Sequence, residues 1–264
     1  MNILEAFLYG LVQGITEFLP VSSSGHLTLL GRILGSDETA MLSFTTLLHM
    51  GTLIAVFIVM RKEISAIIRD IFGARTWQLV IATIPAVIAA VLLGDWLDKL
   101  FAGNLLGYSF MLTGIILAST LLLKPRPVDK EIGYREALIA GVGQAVAIAP
   151  GVSRSGTTLA ALLFSGVNRE KAIRFSFLMS IPAILGGFTL DVYHMIQGEG
   201  SALLSFGIGN IIVGVAAAAL AGWLTMEFML RKLNRCTIFW CAVYVLGLGV
   251  LILIDQTFLH LVFK

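Results

Sequence analysis

Within an apolar N-terminal segment, the stretch Thr16-Glu17-Phe18-Leu19-Pro20-Val21-Ser22-Ser23-Ser24-Gly25-His26 brings together a carboxylate, a serine run and an imidazole. A charge at the centre of a bilayer costs about 2.5–3.5 kcal/mol on insertion scales. An acid and a histidine bracketing serines there mark a functional site, unless they form only a capped break between two core helices. A later stretch, Ala149-Pro150-Gly151-Val152-Ser153-Arg154-Ser155-Gly156-Thr157-Thr158, repeats the serines and supplies a cation. Hydroxyls and helix N-termini donate hydrogen bonds to phosphate oxygens, and a guanidinium fork grips them in pairs. The chemistry these residue types suit is that of a phosphorylated substrate.

The rest of the chain must hold these groups in an apolar setting. Its 264 residues are 58% hydrophobic and 13% charged, with a mean hydropathy of +0.93. A soluble domain of this size would lack the polar surface to cover itself, so the chain reads as a multi-span membrane protein. Strands of a membrane barrel alternate apolar and polar residues over about ten positions, whereas the apolar runs here are near twenty and rich in Leu, Ile, Ala and Gly. The fold class expected is an all-α integral membrane protein. No basic residue precedes the first apolar run, and Glu5 and Glu17 lie within it, so the pattern of a cleaved signal peptide is absent. Cys236 and Cys241 are five apart in one apolar segment, a spacing that suits neither a helical disulfide nor a zinc site. There is no phosphate-binding loop of the GxxxxGK type, and no nucleic-acid partner is expected.

Residues 3–19 and 22–34 are two apolar pieces separated by Pro20. The second, as a helix, would rise only about 20 Å and cannot cross about 30 Å of hydrocarbon. The pair reads as a re-entrant hairpin with the polar stretch at its tip, shielded by surrounding protein. Ser22 and Ser23 are both N-cap candidates for the second half-helix. Spans are expected near 41–60, 77–94 and 105–123, with a basic amphipathic segment at 61–76, a kink at Pro85 and a short loop at 95–99. After the polar connection Lys124-Pro125-Arg126-Pro127, a second pair of short pieces, 136–149 and 155–166, repeats the hairpin. Spans near 173–195, 207–230 and 236–255 follow, the first interrupted by Pro182. The reading is six transmembrane helices plus two re-entrant helical hairpins in a single membrane domain, 1–264.

The two hairpins echo one another. A shift of 131 residues aligns Glu5-Ala6 with Glu136-Ala137, Gly10 with Gly141, Gln13 with Gln144, Ser22 with Ser153, Ser24 with Ser155, Gly35 with Gly166 and Phe44 with Phe175. A chance match among Gly-rich and Ala-rich helices is the competing explanation. Taken as a repeat, residues 1–124 and 132–255 each contain three spans and a hairpin, so the second unit must run upside down: an inverted-topology repeat. Placing the first tight loop outside puts 61–76, 124–135, 167–174 and 231–235 in the cytoplasm, and these hold fourteen of the eighteen Lys and Arg. That satisfies the positive-inside rule, with Arg126 inside and Gly198 outside.

Broken helices meeting at the midplane place half-helix N-termini around a shared cavity. The matched serines Ser22, Ser24, Ser153 and Ser155, with Thr158, are expected to cap and to contact phosphate. The unmatched residues Glu17, Ser23, His26 and Arg154 are better candidates for catalysis, since they align with Ile148, Arg154, Thr157 and Ser23. Ser23 lies three residues before His26 on one helical face, which suits a serine nucleophile with a histidine base; water attack with Ser23 only positioning it is the alternative. Gln13 and Glu17, four apart, share a face and could hold Mg²⁺ or Ca²⁺ if substrate phosphates complete the site. Glu17 either holds that cation or orients His26. His49, Asp191 and His194 also lie in or near spans, where a lone polar residue often only pairs with a neighbouring helix.

The segment Gln13-Gly-Ile-Thr-Glu17-Phe-Leu-Pro-Val-Ser-Ser-Ser-Gly-His26, together with Pro150-Gly-Val-Ser-Arg-Ser-Gly-Thr-Thr158, resembles the bacterial undecaprenyl-diphosphate phosphatases of the bacitracin-resistance type, and the resemblance spans essentially the whole chain. It implies a multi-pass enzyme of the bacterial inner membrane that hydrolyses undecaprenyl diphosphate, a polyprenyl diphosphate lipid, to undecaprenyl phosphate and inorganic phosphate, recycling the carrier of cell-wall synthesis. It also implies divalent-cation dependence and an active site open to the outer, periplasmic face; a homodimer stays open. By motif position the family's acid, serine, histidine and arginine fall on Glu17, Ser23, His26 and Arg154. Some relatives carry a second glutamate where this chain has Gln13, which leaves a metal-ligand role for residue 13 open. A transporter or flippase of a polyprenyl phosphate is the alternative, because inverted repeats with broken helices also build transporters.

Overall fold

The structure, a computed structural model, describes residues 1–102, 105–123, 130–196 and 206–263, without the side chains at 38–40, 42, 94–102, 191 and 194–196. Arg126 and Gly198, and the side chains of Asp191 and His194, therefore lie outside the described residues.

Helices in chain order are α1 (Ile3–Phe18), α2 (Ser23–Leu34), α3 (Glu38–Val59), α4 (Arg61–Arg69), α5 (Ala74–Ala102), α6 (Leu106–Thr120), α7 (Tyr134–Val146), α8 (Arg154–Phe164), α9 (Arg169–Ile196), α10 (Ile208–Lys232) and α11 (Arg235–Ile254). A wider turn, Asp255–Leu259, continues α11. Among the described residues there is no strand beyond one isolated bridge, Lys130 to Val167.

The chain is an all-helical, multi-pass membrane protein. Among the described residues, four segments are long and apolar enough to cross a bilayer: Ala74–Leu93, Arg169–Leu190, Ile208–Lys232 and Arg235–Leu259. A fifth is reached if Ser43–Val59 is joined to Arg61–Arg69 across their 78° bend. Their outward faces are apolar; α5 exposes Val80, Ile84, Val87, Ile88, Val91 and Leu92, a surface that suits lipid. α6 is also apolar but only 15 residues long. The loop expected at 95–99 is instead helical, the last part of α5. Those five residues contain no Gly or Pro, and Asp95 and Lys99 have the i,i+4 spacing that suits a helix. Pro182 does not interrupt its span either: α9 runs through it, as α5 runs through Pro85. Proline is tolerated in such helices where neighbouring groups satisfy the freed carbonyl.

The ends of the short helices are set by the same devices 131 residues apart. Glu5 Oε2 accepts from Asn2 N at 2.8 Å at the start of α1, and Glu136 Oε2 accepts from Gly133 N at 3.0 Å at the start of α7. Gly35, with φ +65°, ends α2 with Ser36 N donating to Gly31 O. Gly166, with φ +87°, follows α8, and Val167 N donates to Leu162 O. Close packing follows the same spacing. α1 lies so tightly on α10 that a Cβ at Gly10 would stand 2.2 Å from Gly214 O. α7 lies on α5, where a Cβ at Gly141 would stand 2.6 Å from Ala82 O. Small residues let membrane helices approach this closely, and dispersion and interhelical hydrogen bonds then hold them.

Apolar residues beside the first tip fix it from several sides. Phe18 meets Phe177 of α9 edge-on, with ring centroids 5.3 Å apart. Val21 packs in the cluster of Phe110, Leu117 and Val245, and Leu27 in the cluster of Tyr9, Phe44 and Leu48.

Candidate active site

Each short hairpin turns at a serine cap. Ser22 precedes α2 and its Oγ accepts from Gly25 N at 3.3 Å; Ser153 precedes α8 and its Oγ accepts from Gly156 N at 3.1 Å. The capping hydroxyls lie 3.4 Å from Ser24 Oγ and 3.3 Å from Ser155 Oγ, respectively. Of the two cap candidates, Ser22 caps and Ser23 is the first helical residue. Ser22 has φ +73°, a conformation that costs a non-glycine residue about 1–3 kcal/mol and persists where surrounding structure imposes it. The second tip makes its turn at Gly151, φ +81°, which leaves Ser153 relaxed at φ −75°. Ser155 Oγ donates to Leu19 O at 3.0 Å, tying the tips to each other, and Ser153 N donates to Thr113 Oγ1 of α6 at 3.0 Å.

Glu17, at the end of α1, joins the tips. Its Oε1 is paired with an Nη of Arg154 at the start of α8. Its Oε2 accepts from Ser23 Oγ at 2.5 Å and from Gln13 Nε2 at 3.2 Å, and stands 3.5 Å from His49 Nε2 of α3. The other Nη of Arg154 donates to Ser176 O of α9 at 3.3 Å, and Thr158 Oγ1 and Ser176 Oγ share a hydrogen bond of 2.6 Å. Glu17 is 7% exposed, so its charge is tolerable only with these partners around it.

These groups open into a cavity of about 350 Å³. Glu17, Ser22, Ser23, Ser24, Ser153, Arg154 and Ser155 line it from the tips, Thr45, Thr46 and His49 from α3, and Ala183, Ile184, Gly187 and Phe188 from α9. Two helix N-termini, several hydroxyls and a guanidinium on one concave wall, faced by apolar residues of α9, suit an anionic head on an apolar chain.

A family model described as bacitracin resistance protein BacA matches residues 6–251. The chain belongs to the BacA family. It is 41% identical to an undecaprenyl-diphosphatase of Carboxydothermus hydrogenoformans over 97% of this chain and 98% of that protein. It is 42% identical to undecaprenyl-diphosphatase 3 of Bacillus cereus, with the same coverage. An undecaprenyl-diphosphatase of Bacteroides thetaiotaomicron is 36% identical over 97% of this chain and 100% of its own length.

In this BacA-family chain, Glu17, Ser23 and Arg154 stand together, with Ser22, Ser24, Ser153 and Ser155 around the same cavity. Gln13 and Thr158 sit behind them, bonded to Glu17 and to Ser176. His26 is placed differently. Its Nδ1 bonds Ser22 O at 2.6 Å and its Nε2 bonds Tyr244 Oη of α11 at 2.8 Å, with the two rings stacked at 18°. Ser23 therefore directs its hydroxyl to Glu17, while both nitrogens of His26 are engaged elsewhere. Shared helical spacing put Ser23 and His26 near one another, but the imidazole turns back onto the strained cap.

Ser176, Thr45, Thr46 and Tyr244 carried no signal as isolated residues, and His49 stood out only as a polar residue in a span. The 131-residue shift held a clue, since it maps Thr45 onto Ser176. Thr45 O bonds His49 Nδ1 at 2.8 Å, and Ser176 O accepts from Arg154.

Among the described residues no group of three or more His, Cys, Asp and Glu could hold a metal ion. The donors on offer to a hard cation are the Glu17 carboxylate and Gln13 Oε1, a buried acceptor with no partner. One carboxylate and one orphaned amide oxygen suit Mg²⁺ or Ca²⁺ only when substrate phosphate oxygens complete the set.

Proposed function

We propose that this BacA-family protein hydrolyses undecaprenyl diphosphate to undecaprenyl phosphate and inorganic phosphate, recycling the lipid carrier of cell-wall synthesis and thereby conferring bacitracin resistance. The carrying observation is the contact of Ser23 Oγ with Glu17 Oε2 at 2.5 Å, opposite the Arg154 guanidinium in a cavity between two half-helix N-termini. A flippase would use the arginine and the helix ends but has no need for a serine proton aimed at a carboxylate.

In the proposed reaction Ser23 Oγ attacks the terminal phosphorus, forming an O–P bond as the bridging P–O bond breaks and the lipid monophosphate leaves. Glu17 takes the serine proton. Arg154 and the backbone N–H groups in the first turns of α2 and α8 that the serine caps leave open neutralise charge on the transferred phosphoryl group. Water then attacks the phosphoserine, inorganic phosphate departs and Ser23 regains a proton. His26 holds Ser22 and the tip from behind. Ser22, Ser24, Ser153 and Ser155 contact phosphate or cap, and Thr158 and Gln13 orient Arg154 and Glu17. A divalent cation held by Glu17 and Gln13 Oε1 with substrate oxygens would supply further charge neutralisation.

The proposed topology has six crossings and two re-entrant hairpins in inverted repeats, 1–124 and 132–255, in the inner membrane. The matching end devices and close-packed pairs 131 residues apart support it. With the basic loops inside, Thr45 and Thr46 of α3 and the α9 residues that line the cavity fall in the outer halves of their helices, with His49 at the midpoint of α3, which supports an opening to the periplasmic face.

The test is phosphate release from undecaprenyl diphosphate by purified protein in detergent, with and without a chelator. Release that stops on chelation and returns with Mg²⁺ or Ca²⁺ is the expected result. Absence of release, with transport of polyprenyl phosphate in proteoliposomes, would overturn the reading.

A further inference from the structure

We propose that His49 is a positioning residue of this site, holding the Glu17 oxygen that receives the Ser23 proton and so governing the chemical step rather than substrate binding. The proposal rests on the serine chemistry proposed above.

The end torsion of a glutamate side chain is intrinsically loose, broad and two-fold, so outside contacts must choose which carboxylate oxygen faces the serine. Arg154 takes Oε1. Of the partners described for Oε2, Ser23 and Gln13 belong to the same hairpin as Glu17, whereas His49 reaches it from α3. A contact from a separate helix fixes the carboxylate relative to the cavity wall, and movements of the hairpin cannot carry it along.

The His49 ring is itself held. Its Nδ1 bonds Thr45 O at 2.8 Å, one turn back on α3. A carbonyl only accepts, so this nitrogen donates, and a carboxylate oxygen facing Nε2 likewise favours a donor there. The ring thus spans from the α3 backbone to Glu17. Its side chain is 27% exposed and lines the cavity, unlike a histidine enclosed in the core. At 3.5 Å the Nε2 contact is longer than a strong hydrogen bond, as catalytic contacts often are before substrate closes the site.

The two nitrogens can be tested separately, because a glutamine amide reaches about as far as Nε2 and an asparagine amide about as far as Nδ1. His49→Gln restores a donor to Glu17, whereas His49→Asn restores only the bond to Thr45 O. In phosphate release by purified protein, His49→Asn is expected to lose at least about tenfold in kcat with KM within about twofold, as for a lost hydrogen bond to a charged group. His49→Gln is expected to recover most of the kcat. Equal impairment of both variants, better activity in Asn than in Gln, or near-normal kcat in both would overturn the proposal. Should His49→Asn fail to fold, His49→Leu replaces it, with the same two outcomes. Wild-type protein in the same assay keeps the two ideas apart: no release by the wild type defeats the proposed function, whereas release by the wild type and both variants alike defeats only the role of His49.

Discussion

Glu17 and Arg154 form an ion pair across 137 residues of sequence, joining the end of α1 to the start of α8 at the point where the two tips meet. Neither charge is stable in an apolar bundle alone, and each is the nearest compensation for the other. The pair also orients the carboxylate: one Glu17 oxygen turns toward the guanidinium and the second accepts from Ser23 Oγ. In the proposed reaction a phosphate entering the cavity meets an arginine already held in place, one Nη on Glu17 and the other on Ser176 O.

Arg154→Lys keeps a positive charge but cannot span Glu17 and Ser176 O together. We expect it to lose at least about tenfold in kcat/KM, in line with a lost charge-assisted hydrogen bond. Glu17→Gln strands Arg154 and is expected to abolish hydrolysis while lowering stability by about 3–5 kcal/mol, the range for breaking a buried pair. Phosphate release and thermal unfolding in detergent read both; near-normal turnover by Arg154→Lys would contradict the assigned grip.

Ser22→Ala and Ser23→Ala should separate cap from nucleophile. The first removes an N-cap and is expected to cost about 1 kcal/mol of stability while sparing most turnover; Ser22→Gly should cost less, because glycine accepts the positive φ. The second should stay folded and lose turnover, and mass analysis of trapped wild-type enzyme should find phosphate on Ser23. Substantial turnover by Ser23→Ala would favour direct attack by water.

His26 bonds Ser22 O through Nδ1, a contact that an asparagine amide can replace. His26→Asn should therefore retain activity within about fivefold, and His26→Ala should lose about tenfold. If the imidazole instead served as the proton acceptor for Ser23, both variants would fall equally in a kcat measurement.

Topology is testable by impermeant thiol labelling in a background lacking Cys236 and Cys241. Phe72 and Ile208 are 84% and 77% exposed, and the basic-residue count places them on opposite faces. A cysteine at 208 should label in intact spheroplasts and one at 72 only after permeabilisation. Labelling of both from one side would break the proposed arrangement.

Composition determined that this chain is a membrane protein, because too little polar surface exists for any soluble fold, and apolar runs near twenty residues determined that its spans are helices. Length determined that the pieces around Pro20 and Pro150 are short helices, and serine chemistry determined that their ends are capped. The same reading mistook residues 95–99 for a loop, since acidic residues near a span's end resemble a turn although nothing there stops a helix. Local spacing brought Ser23, Ser24 and His26 within a turn of each other, yet it could not say where each side chain points. Tertiary packing decided that. α1 against α10 and α8 against α9 carry Glu17 to Arg154, α3 brings His49 to Glu17, and α11 brings Tyr244 to His26. A hydrogen bond depends on rotamer and partner at ångström scale, and those partners come from helices whose approach is set by the whole bundle.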